Sequence, residues 1–220
     1  MGKEILNQNQ SELFLCLASS DWIKSFYLTG GTALAAYYLD HRYSEDLDFF
    51  SEKEIDIEGL TVSLEKLRSK LPVDKIDFQK SLNRNLYFFH FKNGVIVKTE
   101  FTYFPFTRIE KGIKDNLVEI DSLLDIAVNK VFTIFQNPRA RDFIDLYFII
   151  QKEGWLFSDL VKKAHLKFDW PIDPLNLGSQ LVKAKDLKDM PIMIKPLNNR
   201  GIERFFIEEA KKLAPQIFSE

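Results

Sequence analysis

The sequence predicts an α+β protein in which a mixed β-sheet with flanking helices is followed by a helical C-terminal half. Residues 26–50 have the pattern of a strand, a helix and a second strand, and residues 74–104 alternate polar and apolar side chains, which is typical of strands. After Pro105 the apolar residues recur at helical spacing. We therefore expect an α/β domain at residues 1–112 and a helical domain at residues 113–220.

Composition narrows the class of protein. The 220 residues include 45% hydrophobic and 28% charged side chains, close to the average of a soluble globular protein. A formal net charge of −2 argues against a protein that coats nucleic acid without sequence preference. The single cysteine fits a reducing compartment, and no apolar stretch is long enough to span a bilayer. We expect a cytoplasmic protein that does not bind membranes.

The elements of the first half follow from local signals. Residues 10–24 place apolar side chains on one helical face, and a short strand over residues 26–29 leads into the glycine pair Gly30-Gly31. A helix, a strand, a second helix and two or three antiparallel strands are predicted next, over residues 32–39, 46–50, 57–71 and 74–104. Asn93-Gly94 predicts a hairpin turn between the last two strands.

Five segments of the second half have the apolar spacing of helices: residues 121–136, 139–152, 158–167, 175–184 and 201–214. Lys130 lies at the border of an apolar stripe, where a surface lysine and a site residue are both compatible with the pattern. Asp142 and Asp145 share one helix face near a helix start, where acidic side chains also stabilise the helix dipole.

The glycine pair is the first part of a candidate site. Gly30 and Gly31 allow the backbone to approach a ligand closely, and Thr32 is predicted to open a helix whose free N–H groups favour a phosphate. A simple turn would also explain the two glycines. Arg42, in the following polar turn, either neutralises a triphosphate or forms a salt bridge with Glu45 or Asp46.

Three acidic residues form the second part. Asp46 and Asp48 are two apart on a predicted strand, so both side chains leave the same face, where a divalent cation would relieve their repulsion. In VIVKTEFTYF, Glu100 lies on the polar face of another strand. If the two strands are neighbours, three carboxylates converge, as a two-metal phosphoryl-transfer site requires. The alternatives are a solvated aspartate pair and an exposed glutamate on an edge strand.

These residues resemble a known signature. GGTAL…HRYSEDLDFF is similar to the motif of the AbiEii/AbiGii-type nucleotidyltransferases, a branch of the polymerase-β-like superfamily that includes toxins of bacterial toxin–antitoxin and abortive-infection systems. The strand of Glu100 and the segment NKVFTIFQNPRARDFIDLYFI extend the resemblance over about residues 25–150. It implies a nucleotidyltransferase-like sheet and Mg²⁺- or Mn²⁺-dependent transfer of a nucleoside monophosphate from an NTP.

The resemblance also implies the roles of individual residues. The metal-binding carboxylates are Asp46, Asp48 and Glu100. With Arg42 included from the turn, the nucleotide-binding residues are Gly30, Gly31, Thr32, Arg42, Lys130 and Asp142. The catalytic residues are Asp46, Asp48, Glu100, Lys130 and Asp145.

The implied acceptor is the hydroxyl of an RNA 3′ end, including that of tRNA, or of a protein, and a cognate antitoxin is an implied partner. Two other functions stay open on the residues alone. One is a nucleotidyltransferase-fold module that binds NTP or a partner without turnover. The other is a metal-dependent nuclease, which uses clustered carboxylates but does not need a glycine pair at a helix start.

Overall fold

The computed structural model of the protein describes residues 5–217, and the chain divides into two compact units between Ser122 and Leu123. In the described residues the first unit contains a mixed seven-stranded sheet and the second is helical, which confirms the predicted α+β class. The strands are β1 (Tyr27–Thr29), β2 (Leu47–Ser51), β3 (Val73–Ser81), β4 (Arg84–Phe91), β5 (Ile96–Tyr103), β6 (Ile113–Asp115) and β7 (Val118–Ile120).

The sheet has the strand order β3-β4-β5-β2-β1-β7-β6. β3, β4 and β5 form the predicted antiparallel set, and Gly94 in the β4–β5 turn has a φ of 85°. β2 is antiparallel to β1 and parallel to β5, while β1 is parallel to β7. The sequence places the domain boundary at residue 112, but β6 and β7 extend the sheet, so the two units divide after Ser122.

Alternation along β2 separates an apolar face from a polar one. Leu47 and Phe49 are fully buried, and the Phe49 ring stacks on that of Phe101 of β5 with a centroid distance of 5.2 Å. Successive side chains of a strand point to opposite faces, so Asp48 and Phe50 project from the other side and are only half-buried. The apolar face therefore fixes the direction in which Asp48 points.

The helices of the first unit are α1 (Gln8–Ala18), α2 (Gly30–Leu34), which continues as a π-helical turn over Ala35–Leu39, and α3 (Ile57–Arg68). The predicted helix over residues 10–24 is interrupted after Ala18, where the hydroxyls of Ser19 and Ser20 bond to the Cys16 carbonyl in place of continued helix. A separate 3₁₀ turn follows over Asp21–Ser25. α2 begins at Gly30, before the predicted start at Thr32.

The second unit confirms the five predicted helical segments to within a few residues. Its helices are α4 (Leu123–Gln136), α5 (Ala140–Glu153), α6 (Phe157–Phe168), α7 (Pro174–Val182), α8 (Asn199–Lys212) and the short α9 (Ala214–Ile217). Stacked rings of Phe132 and Phe168, with centroids 3.9 Å apart, join α4 to α6. No helix within residues 5–217 combines the length and the apolar content that crossing a membrane would need.

A buried ion pair also links α4 and α6. Lys167 Nζ lies 2.7 Å from Asp125 Oδ1 and 2.9 Å from Asn129 Oδ1. The Lys167 and Asp125 side chains are 1% and 0% exposed. Removing one partner of such a pair leaves a charge in a nonpolar environment, which costs far more free energy than losing a surface ion pair.

We therefore expect Lys167→Met to lower the free energy of unfolding of the helical unit by about 3–5 kcal/mol. Lys162→Met is the matched control on the same helix, because Lys162 pairs with Asp159 at the surface and should change stability by less than about 1 kcal/mol. Urea unfolding followed by circular dichroism measures both. Equal losses in the two variants would contradict the structural role of the buried pair.

Candidate active site

The parallel pairing of β2 with β5 brings the predicted carboxylates together. Asp48 is directly opposite Glu100, and Leu47 is opposite Thr99. Asp46 immediately precedes β2 and lies on the same face as Asp48 by the alternation of the strand. Glu100 is buried on a strand inside the sheet, so the alternative of an exposed glutamate on an edge strand is wrong.

Two cations from neighbouring strands hold these carboxylates. Lys98 Nζ lies 2.8 Å from Asp46 Oδ2. Arg84 of β4 binds Glu100 through two contacts, Nε to Oε1 at 2.7 Å and Nη2 to Oε2 at 2.5 Å. The Thr102 hydroxyl donates a further hydrogen bond to Glu100 Oε1 at 2.6 Å. The acidic residues are therefore part of a compensated cluster of charges.

The electrostatics of Glu100 follow from these contacts. Burial on its own would raise the pKa of the Glu100 carboxyl, but the hydrogen bonds from Arg84 and Thr102 outweigh burial and hold that pKa below its usual value. The bond to Glu100, with the nearby charges of Asp48 and Asp46, raises the pKa of Arg84 despite its partial burial. Glu100 is thus ionised at neutral pH.

Sequence reasoning missed Arg84. Its role depends on the β4–β5 register, which places Leu86 opposite Glu100 and Arg84 opposite Thr102. An arginine within residues 74–104, where the sequence predicts two or three strands without fixing their ends, is a weak signal by itself. A two-residue turn at Asn93-Gly94 would place Arg84 opposite Tyr103 and on the other face of the sheet from Glu100, whereas the observed register places it opposite Thr102, so the predicted turn alone does not identify Arg84.

The glycine pair lies against the acidic residues. Gly30 has a φ of 70°, and a Cβ added there would lie 2.9 Å from Asp48 Oδ2. At Gly31 an added Cβ would collide with the guanidinium of Arg42 and lie 3.2 Å from Ser44 Oγ. The two glycines therefore allow the backbone to pass close to a carboxylate on one side and to a buried arginine on the other.

The turn before Asp46 is held by buried polar side chains. Thr32 Oγ1 lies 2.8 Å from Ser44 Oγ and hydrogen-bonds to the backbone carbonyl of Asp46. Gln10 of α1 donates from Nε2 to the carbonyls of Ser44 at 2.9 Å and Glu45 at 2.7 Å. The Thr32 side chain thus positions the turn that precedes Asp46, and Gln10, which sequence reasoning did not single out, supports the same turn.

Arg42 lies in this turn. Its side chain is buried, and its Nη1 donates to the Tyr43 carbonyl at 2.9 Å. The contact with Gly31 places the guanidinium beside the start of α2. The structure thus brings Arg42 next to the glycine pair, where the sequence predicts a triphosphate.

The carboxylates of Asp46 and Asp48 could bind a divalent cation whose remaining ligands come from a substrate. Within residues 5–217, no three acidic, histidine or cysteine side chains are arranged as a complete metal site. Both oxygens of Glu100 are engaged by Arg84, Lys98 contacts one oxygen of Asp46, and the carboxylates of Asp46 and Asp48 are half-buried. Mg²⁺ is commonly bound by one or two carboxylates together with substrate phosphates, so this pair is a suitable protein contribution.

The second unit contains its own cluster of predicted site residues. Lys130 Nζ lies 2.8 Å from Asp142 Oδ1 and 2.8 Å from Asp145 Oδ2, and all three side chains are buried. Asp142 also accepts the backbone N–H of Arg139 at 3.0 Å at the start of α5. The interpretation of Lys130 as a surface lysine is therefore wrong, and the helix dipole alone does not explain the two buried aspartates.

Several known proteins resemble this chain in sequence or in fold. The sequence model of a family described as the nucleotidyl transferase AbiEii toxin of type IV toxin–antitoxin systems matches residues 13–215. The uncharacterized protein aq_aa25 of Aquifex aeolicus (strain VF5) is 30% identical over 177 residues, which cover 76% of this chain and 79% of that protein.

Two crystal structures from Helicobacter pylori share the fold. JHP933 aligns with a TM-score of 0.58 at 20% identity, covering 95% of this chain and 94% of that chain. A second protein, assigned provisionally to the nucleotidyltransferases, aligns with a TM-score of 0.59 at 21% identity, covering 96% of this chain and 97% of that chain. Both alignments extend over nearly the whole of this chain.

The contact between Gly30 and Asp48 yields a prediction with a matched control. Gly30→Ala and Gly94→Ala both place a side chain on left-handed backbone, but a Cβ at Gly94 would have no neighbour within 4 Å. Gly30→Ala should therefore destabilise the protein by about 1–3 kcal/mol more than Gly94→Ala, because its methyl group displaces Asp48. Urea unfolding of both variants measures the difference. Equal effects would mean that Asp48 does not constrain this position.

The Lys130 cluster yields a prediction on pH. Burial opposes ionisation of Asp142, but the charge of Lys130 prevails and lowers the pKa of this carboxyl below 3.8. Its stabilising contribution is therefore present above about pH 4 and is lost as pH falls through the lowered folded-state value. Lys130→Met should destabilise the protein by about 3–5 kcal/mol near neutral pH, and by progressively less as the pH approaches 4 and below. Urea unfolding of the wild type and of Lys130→Met across this pH range tests the prediction. A loss of stability that does not change with pH would contradict it.

Proposed function

The chain belongs to the AbiEii nucleotidyltransferase toxin family, and from this premise we propose that it transfers a nucleoside monophosphate from an NTP to an acceptor hydroxyl, with release of pyrophosphate. The bond from the acceptor oxygen to the α-phosphorus forms as the bond from that phosphorus to pyrophosphate breaks. The observation that carries the proposal is that Asp48, two residues after Asp46, lies opposite Glu100 and against Gly30.

The residues around the glycine pair have properties that suit NTP binding. A phosphate near Gly30 and Gly31 would meet backbone N–H groups at the start of α2, and neither glycine has a side chain that would block its approach. Arg42 contributes a fixed positive charge beside them. Thr32 acts by holding the turn that leads to Asp46.

The carboxylates provide the catalytic part of the proposed site. A divalent cation such as Mg²⁺ or Mn²⁺, when bound to Asp46 and Asp48, supplies charge neutralisation at the triphosphate and activation of the acceptor hydroxyl. Asp46 and Asp48 provide hard oxygen donors for that cation. Glu100 stays ionised because of its lowered pKa and adds a third negative charge to the same sheet face.

In the second unit, the family resemblance assigns phosphate or substrate contact to Lys130. The structure supports a specific form of this role, in which Asp142 and Asp145 hold the ammonium group in one position. Lys130→Arg keeps the positive charge but changes the shape of the group that carries it, so this variant separates a role in substrate contact from a structural role. Preserved stability with reduced transfer favours contact with substrate, whereas loss of both favours a structural role.

For the acceptor we propose an RNA 3′ end, including that of tRNA, with a protein hydroxyl as the other outcome of the same experiment. Membership of a toxin family supports a cognate antitoxin as a partner, and we propose a cytoplasmic location for the reaction. The protein incubated with each α-³²P-labelled NTP and a total cell lysate would label its acceptor. Digestion with ribonuclease or protease then identifies the class of acceptor.

A module that binds NTP without turnover is the second candidate. The observation that favours it is the pairing of Asp46 with Lys98 and of Glu100 with Arg84, which stabilises the carboxylates without any other cation. Mg²⁺-dependent NTP binding with no labelled product from any RNA or protein would support this module. Release of pyrophosphate would support transfer and exclude hydrolysis by a nuclease.

Replacing Asp48 tests the proposed reaction. Asp48→Asn keeps the size of the side chain but removes its charge, and we expect at least an approximately 100-fold loss of label transfer. Asp77→Asn is the control, because Asp77 lies on the exposed part of β3 and pairs with Lys75. Transfer that continues undiminished in Asp48→Asn would overturn the proposed mechanism.

A further inference from the structure

The carboxylates of the candidate site are already bound to cations of the protein itself. Lys98 is paired with Asp46, and Arg84 is paired with Glu100. Neither cation was among the predicted site residues. A metal ion would compete with these two cations for the carboxylate oxygens, and a triphosphate would compete with the carboxylates for the two cations.

The two cations are more accessible than Glu100. The Arg84 side chain is 52% exposed and that of Lys98 is 26% exposed, whereas the Glu100 side chain is only 6% exposed. Thr102 bonds to Glu100 Oε1 independently of Arg84. The carboxylate is therefore held by its own strand, while the long cationic side chains can rotate towards solvent without disturbing the sheet.

The balance of charge indicates what such a rotation would achieve. Asp46, Asp48 and Glu100 are accompanied by the cations Lys98 and Arg84 and, beside the glycine pair, by Arg42, so the three negative charges are already balanced by three positive ones. A divalent cation added to this cluster would face two nearby positive charges, which oppose its binding. Binding becomes favourable if Lys98 and Arg84 move to the triphosphate, which brings several negative charges with it.

We propose that Lys98 and Arg84 are exchangeable counter-cations, which neutralise Asp46 and Glu100 in the free protein and turn to the triphosphate when a divalent cation takes the carboxylates. This inference rests on the proposed function, because it assumes that a metal and an NTP bind at these residues. It assigns Lys98 and Arg84 to substrate phosphate binding. It also predicts opposite effects of one substitution on two ligands.

The test measures binding of two simple probes, Mn²⁺ alone and inorganic triphosphate in the presence of Mn²⁺. In Lys98→Met the competing ammonium is absent, so we expect Mn²⁺ to bind about two- to fivefold more tightly than in the wild type. Triphosphate should bind more weakly, since a phosphate contact is lost. Arg84→Met should shift both affinities in the same directions. Electron paramagnetic resonance of free Mn²⁺ and titration calorimetry measure these affinities without reference to turnover.

The controls separate this inference from the proposed function. Lys75→Met removes an exposed lysine paired with Asp77 on β3 and should change neither affinity. Asp48→Asn should abolish Mn²⁺ binding if the carboxylates hold the metal. Lys98→Gln keeps a polar side chain and provides a second variant should the methionine variant fold poorly.

Each outcome supports or overturns the inference. Tighter binding of Mn²⁺ together with weaker binding of triphosphate, in both Lys98→Met and Arg84→Met, supports the inference. Unchanged or weaker Mn²⁺ binding, or unchanged triphosphate binding, overturns it while leaving the metal site in place, provided that Asp48→Asn loses Mn²⁺. A wild-type protein that binds no Mn²⁺, or that binds it equally well in Asp48→Asn, overturns the proposed metal site and with it this inference.

Discussion

Asp48 of β2 and Glu100 of β5 lie directly opposite each other on neighbouring parallel strands, and the residues around them offset the repulsion between acidic side chains on this face of the sheet. Like charges in directly opposed positions destabilise a sheet, and burial adds the cost of removing a carboxylate from water. Arg84 and Thr102 donate hydrogen bonds to Glu100. Lys98 forms an ion pair with Asp46, which comes two residues before Asp48 in the chain. The position of β4 beside β5 is needed for this, because only that neighbour supplies Arg84 at the required register.

In the second unit, too, buried carboxylates are neutralised by cations, here by two buried lysines. Lys130 joins α4 to α5, and Lys167 joins α6 to α4, each through buried carboxylates. Such pairs add little net stability compared with apolar packing, but an alternative helix alignment would leave them unpaired. Our hypothesis is that these contacts select one arrangement of α4, α5 and α6. Apolar contacts such as that between Phe132 and Phe168 then supply most of the attraction.

Local signals in the sequence were sufficient for most of the architecture. The alternation around Glu100 and the turn at Asn93-Gly94 describe interactions between near neighbours, which is why they predict strands and a hairpin correctly. The buried state of Lys130 and the role of Arg84 depend on which distant elements pack together, and hydropathy does not encode this. The two strands β6 and β7 are three residues each, too short for a periodic pattern to distinguish them from a loop.

The parallel pairing of β2 with β5 has a consequence for how the protein acquires activity during its synthesis. Lys98 and Asp46, which this pairing brings into contact, are 52 residues apart in the chain. Another contact in the same unit, between Thr29 and Asp121, joins residues that are 92 positions apart. At a translation rate of about 5–20 residues per second, the aspartates leave the ribosome roughly 3–10 s before the strand that completes their cluster. Non-local pairing of this kind also forms slowly. A nascent chain therefore carries the glycine pair and both aspartates for seconds before it contains an assembled site.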